Sequence, residues 1–540
     1  MAMKRFVAAL AYVCLLGIAS LSTVSAAAVD SQLLRDLAFG ESDDKLKAIA
    51  SLTAVGDADA LVLLQALRDG DVQTVGENQV LLIKGETATD LITGKVVAPL
   101  PESRDDIVIN NRVRKGLETA IASFKLADPD RAVRLAAAKQ LQDGADESAL
   151  PAIERAMAKE SDGEIKELLS LTHASIQLAS TDRATRLAAI RALADSNNPA
   201  TKTLLLGVLE KKGDVFVEPD AAIRAEAEKS LSSVESKLAA GEMVARIFSG
   251  ISLGSILLLA ALGLAITYGL MGVINMAHGE LIMIGAYATY VVQNLFRRYA
   301  PGAFDAYLVC AVPVAFAAAG LVGMALERTV IRFLYGRPLE TLLATWGISL
   351  ILMQTVRTVF GAQNVQVENP SWMSGGFTAV AGVVLPWNRI VIVGFAVLVL
   401  LLIWLLLTRT RLGLFVRAVT QNRAMASCTG VPTTRVDTLA FGLGAGIAGL
   451  AGCALSQIGN VGPDLGQSYI VDSFMVVVLG GVGQLAGTVY AALGLGIVNK
   501  FLEAWSGAVL AKIAVLVFII FFIQKRPQGL FALKGRIAET

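Results

Sequence analysis

The chain has 540 residues, is 54% hydrophobic and only 17% charged, with a mean hydropathy of +0.60. A soluble chain of this length rarely reaches that value, so the composition points to an integral membrane protein. The net charge of +1 argues against a nucleic-acid binder. Cys14, Cys310, Cys428 and Cys453 form no CxxC pair, and with only His173 and His278 beside them no metal site or disulfide is expected.

Lys4 and Arg5 precede the apolar run Phe6–Leu21, and the small residues of STVSAAA follow. A basic start, an apolar middle and a small-residue end are the parts of a secretory signal. Residues 1–28 are therefore expected to be removed, with cleavage between Ala26 and Val29. The alternative, an uncleaved anchor, has only about sixteen apolar residues, short for a span.

The segment 29–240 is rich in charge, and it repeats. DRAVRLAAAKQL (Asp130–Leu141), DRATRLAAIRAL (Asp182–Leu193) and DAAIRAEAEKSL (Asp220–Leu231) share Asp, Arg four later and Leu seven after that; ESDDKLKAIASL (Glu41–Leu52) fits with Glu and Lys substituted. Asp at the start caps a helix and favours its positive end. The Ala/Leu stripe packs on a neighbouring helix, as in a HEAT-like helical-repeat array. Near 71–114 the period fails. NQVLLIKG, TDLITGKVV and DIVINN read there as short strands, a small β insertion. His173 lies on an apolar helix face and reads as a packing residue. No residues here have active-site spacing, so a docking or stabilising module is expected.

Charge falls away near Gly241–Ile247, and 247–535 is a series of apolar runs near 250–270, 273–296, 306–326, 340–357, 389–408, 438–458, 471–483, 486–501 and 508–524. The fold class expected is an all-α membrane protein. It is a polytopic helical bundle of about nine crossings, some short or broken around Gly480–Gly487, preceded by a signal peptide and the exported repeat domain. A cleaved signal places the start of the first span outside. Loops carrying Arg328, Arg332 and Arg337, then Arg409, Arg411, Arg417, Arg423 and Arg435, then fall inside with the tail of Lys525, Arg526, Lys534 and Arg536. The long loops 361–386 and 459–470 hold no Lys or Arg and fall outside, with Arg297 and Arg298 as exceptions. Gly442, Gly446, Ala448 and Gly452 recur at spacings that let helices touch closely.

The stretch MGVINMAHGELIMIGAY (Met271–Tyr287) places Asn275, His278 and Glu280 among apolar residues. Such residues either cap a turn near the headgroups or face a route through the bundle, and the second is the expectation. Asn275 is the residue expected to touch solute, and Glu280 to hold helix geometry through His278. The near-membrane charges Glu280, Arg357, Asp472 and Lys512 form no evident relay.

In RTRLGLFVRAVTQNRAMASCTGVP (Arg409–Pro432), Asn422 is a good N-cap, RAMASCT makes about two turns, and Gly430 with Pro432 ends them. The loop 409–432 therefore holds a short capped helix that a partner protein can grip.

Four blocks in order resemble permease subunits of ABC importers of the branched-chain amino acid/urea group: GLMGVINMAHGELIMIGAYATY, the loop just described, VVVLGGVGQLAGTVYAALGLGIV and RPQGLF. The resemblance covers nearly all of 247–535. It implies ATPase coupling through Arg409, Thr410, Gly413, Arg417, Ala418, Asn422, Ala426 and Gly430. It also implies two cytoplasmic ATP-binding subunits carrying ATP and Mg, a homologous second permease and a periplasmic solute-binding protein, in a bacterial inner membrane with the N-domain periplasmic and the C-terminus cytoplasmic. The chain has no G-x-x-x-x-G-K-[ST], so no cofactor and no enzyme activity of its own are expected. The exported domain is similar to the extension of urea permease subunits, which points to urea, with a branched-chain amino acid or short amide as the alternative. A neutral planar solute needs hydrogen-bonding partners rather than a fixed charge; the candidate path is Asn275, His278, Glu280, Thr345, Ser349, Gln354 and Asn499. A passive channel, a secondary transporter or a receptor are the readings from other classes.

Overall fold

The structure, a computed structural model, describes residues 30–531 apart from 77–78, 86, 102, 273 and 379–382. The expected signal peptide lies outside the described residues. The chain divides after Leu238 into two compact units.

The first unit begins with α1 (Ser31–Phe39), α2 (Ser42–Val55) and α3 (Ala58–Asp69). Five short strands follow: β1 (Val72–Val75), β2 (Gln79–Lys84), β3 (Thr87–Asp90), β4 (Val96–Val97) and β5 (Asp105–Asp106). They form one antiparallel sheet in the order β4-β3-β2-β1-β5. Alternation along β1 buries Val72 and Thr74 and leaves Gln73 and Val75 more open, the period-2 pattern of a one-faced sheet. Helices then resume with α4 (Asn111–Lys125), α5 (Arg131–Gly144), α6 (Leu150–Lys159), α7 (Gly163–Leu178), α8 (Arg183–Leu193) and α9 (Pro199–Val208). A two-stranded turn, β6 (Lys211–Lys212) with β7 (Val215–Phe216), leads into α10 (Ala221–Met271). Three apolar clusters run along the unit, the last formed by α7, α8, α9 and the start of α10.

The repeated frame has a structural reason. Asp130, Asp182 and Asp220 accept from backbone N–H groups of the first helical turn at 2.8–2.9 Å, so each is an N-cap. In the first frame the Arg four residues on bridges two loops. Arg134 donates to the carbonyls of Asp128 and Pro129 and to Glu160 of the next loop, Nε to Oε2 at 2.8 Å. Arg186 repeats the reach to Glu218 at 2.6 Å. The Leu ending each frame enters the core, with Leu141 and Leu193 both buried. His173 packs beside Glu154, its Nε2 3.1 Å from Oε1.

The Arg131 guanidinium and the first-turn N–H groups it neighbours hold the Asp162 carboxyl below its ordinary range. A carboxyl with a depressed folded pKa contributes stability above its unfolded pKa of about 4, and loses it as pH falls through the folded value. Amide hydrogen exchange at Glu164 and Ile165, whose N–H groups Asp162 accepts, is therefore expected to lose protection on acidification. Asp162→Asn, which caps without titrating, should flatten that dependence; an unchanged dependence would contradict it.

In the second unit α10 continues to Met271, and α11 (His278–Tyr299), α12 (Tyr307–Thr329), α13 (Pro338–Phe360) and α14 (Trp387–Arg409) follow. A hairpin of β8 (Gly376–Thr378) and β9 (Val384–Pro386) precedes α14. Then come α15 (Arg411–Gln421), α16 (Arg423–Cys428), α17 (Thr433–Ser456), α18 (Leu465–Gly480), α19 (Leu485–Ser506) and α20 (Ala508–Lys525). Among the described residues seven helices are long and apolar enough to cross a membrane: α10, the Pro301–Phe333 stretch with α12, α13, α14, α17, α19 and α20. Of the nine or so crossings expected, seven are matched by these helices; α11 is too polar for that test and α18 too short at 16 residues. The helix at 485–506 is not short, as the glycines had suggested; only α18 is.

The bundle is arranged around α17, which is almost wholly buried, while α13, α14 and α20 turn most of their surface outward. α17 packs on α11 and α12 through bare backbone. Gly285 of α11 lies against Gly449, and Gly452 against the Ile282 carbonyl. Small residues are what permit such approach in a bundle without a water-driven core. Asp472 and Lys512, read from sequence as part of no evident relay, form an ion pair at 3.2 Å between α18 and α20. Their distance along the chain, across the whole of α19, hid the contact.

Candidate transport path and coupling surface

Between α10 and α11 the chain turns through Gly272, at φ +64°, a left-handed conformation that favours glycine. The second apolar segment, read as helical from 273, thus starts its helix at His278. Asn275 sits in the turn and yet is buried, as are His278 and Glu280 in the first turn of α11. Asn275 thus closes a turn that is itself buried, where the sequence reading places such a turn near the headgroups.

Asn275 Oδ1 accepts from the Ala277 N–H at 3.0 Å, which closes the turn. Met276 N–H donates to Thr345 Oγ1 at 3.2 Å, and Ser349 Oγ donates to Glu280 Oε1 at 2.9 Å. Thr345 and Ser349, one turn apart on α13, thus face the start of α11. His278 points elsewhere. Its Nε2–H donates to the Ala260 carbonyl at 3.0 Å, tying α11 to α10 and leaving Nδ1 as an acceptor. The expected Glu280–His278 support is not present; Ser349 takes that place. Among the described residues Asn275 Nδ2, His278 Nδ1 and Glu280 Oε2 are buried without a hydrogen-bond partner. Buried polar groups are seldom left so.

Gln354 and Asn499 fall apart from this set. Gln354, five residues after Ser349, lies about 140° around the helix and is exposed. Asn499 is half-buried on α19, and among the described residues no hydrogen bond joins it to the others. Tyr287 was missed. It is buried with its hydroxyl unpartnered among the described residues, two turns beyond Glu280 on the same face of α11. That spacing of seven was the signal.

At one end of the bundle α14 passes into α15 and α16. Asn422 Oδ1 accepts from Met425 N–H at 3.0 Å, and Gly430 has φ +87°, so α16 has the cap and the stop read from sequence. The residues before it are more ordered than a basic loop. Arg411–Gln421 is helical, capped by Thr410, whose Oγ1 accepts from Gly413 N–H. Gly413 lies against the Leu407 backbone, where no side chain fits. Val416, Val419 and Ala426 turn inward against Leu270, Val436 and Ala440. Arg409, Arg411, Leu414, Arg417, Asn422 and Met425 are left exposed, a mixed basic and apolar face on a rigid base. Thr410 and Gly430 lie at its edges; Ala418 is half-buried.

The family described as branched-chain amino acid transport system / permease component matches residues 246–524. The chain belongs to this family. The high-affinity branched-chain amino acid transport system permease protein BraD of Pseudomonas aeruginosa is 27% identical over 291 residues, 53% of this chain and 94% of BraD. The corresponding LivH of Escherichia coli K12 is 29% identical over 293 residues, with the same coverage of 53% and 94%. The ribose import permease protein RbsC of Bacillus subtilis is 33% identical over 114 residues, 20% of this chain and 35% of RbsC. No solved structure matches. The chain is thus an integral membrane permease of the ABC-importer kind, and the family match leaves its first 245 residues uncovered.

Proposed function

We propose that this chain forms the membrane path of an ATP-driven importer in a bacterial inner membrane. In this reading two cytoplasmic ATPase subunits dock on α15–α16, a homologous permease completes the path, and a periplasmic binding protein delivers the solute. The observation that carries it is the pairing, within one permease-family unit, of a buried polar helix start with an exposed, capped helix pair. The family names of the relatives make a branched-chain amino acid the first solute to test. Urea is the second reading. It is favoured by the N-terminal domain, similar to that of urea permease subunits, and by a buried set of amide, hydroxyl and imidazole groups beside one carboxylate. The domain 29–240 is read as a periplasmic HEAT-like docking module.

Uptake of labelled leucine and labelled urea into vesicles holding the assembled transporter separates the two. Saturable leucine uptake supports the first solute, urea uptake without leucine uptake the second, and neither solute moving would remove both. Coupling is tested in the same vesicles. Gly430→Leu forces a side chain into a left-handed backbone, at a cost of about 1–2 kcal/mol, and Arg417→Glu reverses a charge on the exposed face. Both are expected to leave the protein inserted while solute uptake falls about tenfold at unchanged ATP hydrolysis. Normal uptake in both would remove the coupling role.

A further inference from the structure

Four side chains outside the sets above form a continuous line of contacts beneath α16. Arg423, the first residue of α16, pairs with the buried Asp437 of α17, Nη2 against Oδ2 and Nη1 3.5 Å from Oδ1. Its guanidinium also lies over the ring of Tyr335, 4.9 Å from the centroid. Tyr335 sits in the connection between α12 and α13. Its hydroxyl is 3.3 Å from Glu327 Oε1, near the end of α12, and 3.2 Å from Met271 Sδ at the end of α10. Thr438, beside Asp437, donates to the other Glu327 oxygen at 2.6 Å. Glu327 and Asp437 are both fully buried, and a buried carboxylate is strongly disfavoured once its partners leave. These contacts are therefore held or lost together.

The arrangement has a direction. α16 has six residues, and Ala426 is its one buried side chain, so Arg423 supplies much of its attachment to the bundle. Tyr335 is a rigid ring touched on its face by Arg423 and at its hydroxyl by Glu327 and Met271. A shift of α16 that moves Arg423 changes both ends of that ring. Met271 is the residue before the Gly272–Ala277 turn, where Asn275 sits.

We propose that Arg423, Asp437, Tyr335 and Glu327 are positioning residues that transmit displacement of α16 to the ends of α10, α12 and α17, and so to the buried polar turn. This rests on the reading of α15–α16 as the surface that meets the ATPase subunits. Packed hydrogen-bond networks of this sort carry coupling only where both ends respond, and a double exchange measures that directly.

The test uses the complete transporter in proteoliposomes, with ATP hydrolysis and uptake of labelled leucine and urea read from one preparation. Tyr335→Phe and Arg423→Ala are expected to keep ATP hydrolysis per assembled complex within about twofold of wild type, while solute moved per ATP falls about tenfold. The exchange Arg423→Asp with Asp437→Arg should recover part of the loss that either single change causes. Wild-type solute per ATP in both Tyr335→Phe and Arg423→Ala overturns the inference. So does a loss of both rates in proportion to assembled complex that the exchange does not restore. If Arg423→Ala fails to assemble, Tyr335→Phe, which removes one oxygen atom, decides. A wild-type transporter with no ATP-dependent uptake would overturn the importer reading itself; an active wild type with unaffected variants overturns only this link.

Discussion

Gly452→Leu is expected to abolish accumulation of folded protein in the membrane. A Cβ at this position meets the Ile282 carbonyl oxygen, the Ala286 nitrogen at 2.8 Å and the Ile282 carbonyl carbon at 2.9 Å. All three are backbone atoms of α11, which cannot rotate aside as a side chain can. Overpacking a core costs typically about 1–3 kcal/mol where neighbours can yield; here the helices must separate, and α17 is the one against which α11 and α12 both pack. Monodisperse protein after detergent extraction should fall at least about tenfold, corresponding to more than about 1.4 kcal/mol. Gly494→Leu, whose Cβ meets nothing within 4 Å, should extract like wild type. Equal yields from the two would contradict the backbone contact of α11 with α17.

Glu280→Ala is expected to give the largest loss of uptake among the polar-path variants. It removes the acceptor of Ser349 and leaves that hydroxyl buried. An unsatisfied buried group costs about 1–3 kcal/mol, so uptake should drop by about 5- to 150-fold in protein that still inserts. Glu280→Gln keeps an acceptor toward Ser349 and should recover much of the rate if geometry is what matters. Asn275→Ser keeps a turn cap but loses both amide hydrogens. A raised KM in that variant, with little change in the amount of inserted protein, marks solute contact by Asn275; an unchanged KM leaves it as a cap. Gln354→Ala and Asn499→Ala, being apart from the cluster, are expected to have little effect.

What sequence made legible was mostly local chemistry. Asn422 and Gly430 lie eight residues apart, and capping rules alone placed a helix between them. The Asp of the repeat frame was readable as a cap, whereas the partners of Arg134 and Arg186 lie in the next loop. The helix Arg411–Gln421 was not among the sequence expectations, although its buried Gly413, Val416 and Val419 recur every three residues. Contacts between distant segments stayed hidden. Glu280 meets Ser349 across 69 residues and Glu327 meets Thr438 across 111; no spacing rule joins them. The Gly272 turn was readable as a possibility, but only the fold decides that a turn can itself be buried.

The most direct test is uptake into proteoliposomes containing this chain, its partner permease, the ATPase subunits and the binding protein. Solute should accumulate only with ATP and Mg inside reach of the ATPase subunits, and should cease when the lysine of their phosphate-binding loop is replaced. Accumulation without ATP, or without a P-loop subunit, would contradict the assignment of this chain as an importer permease.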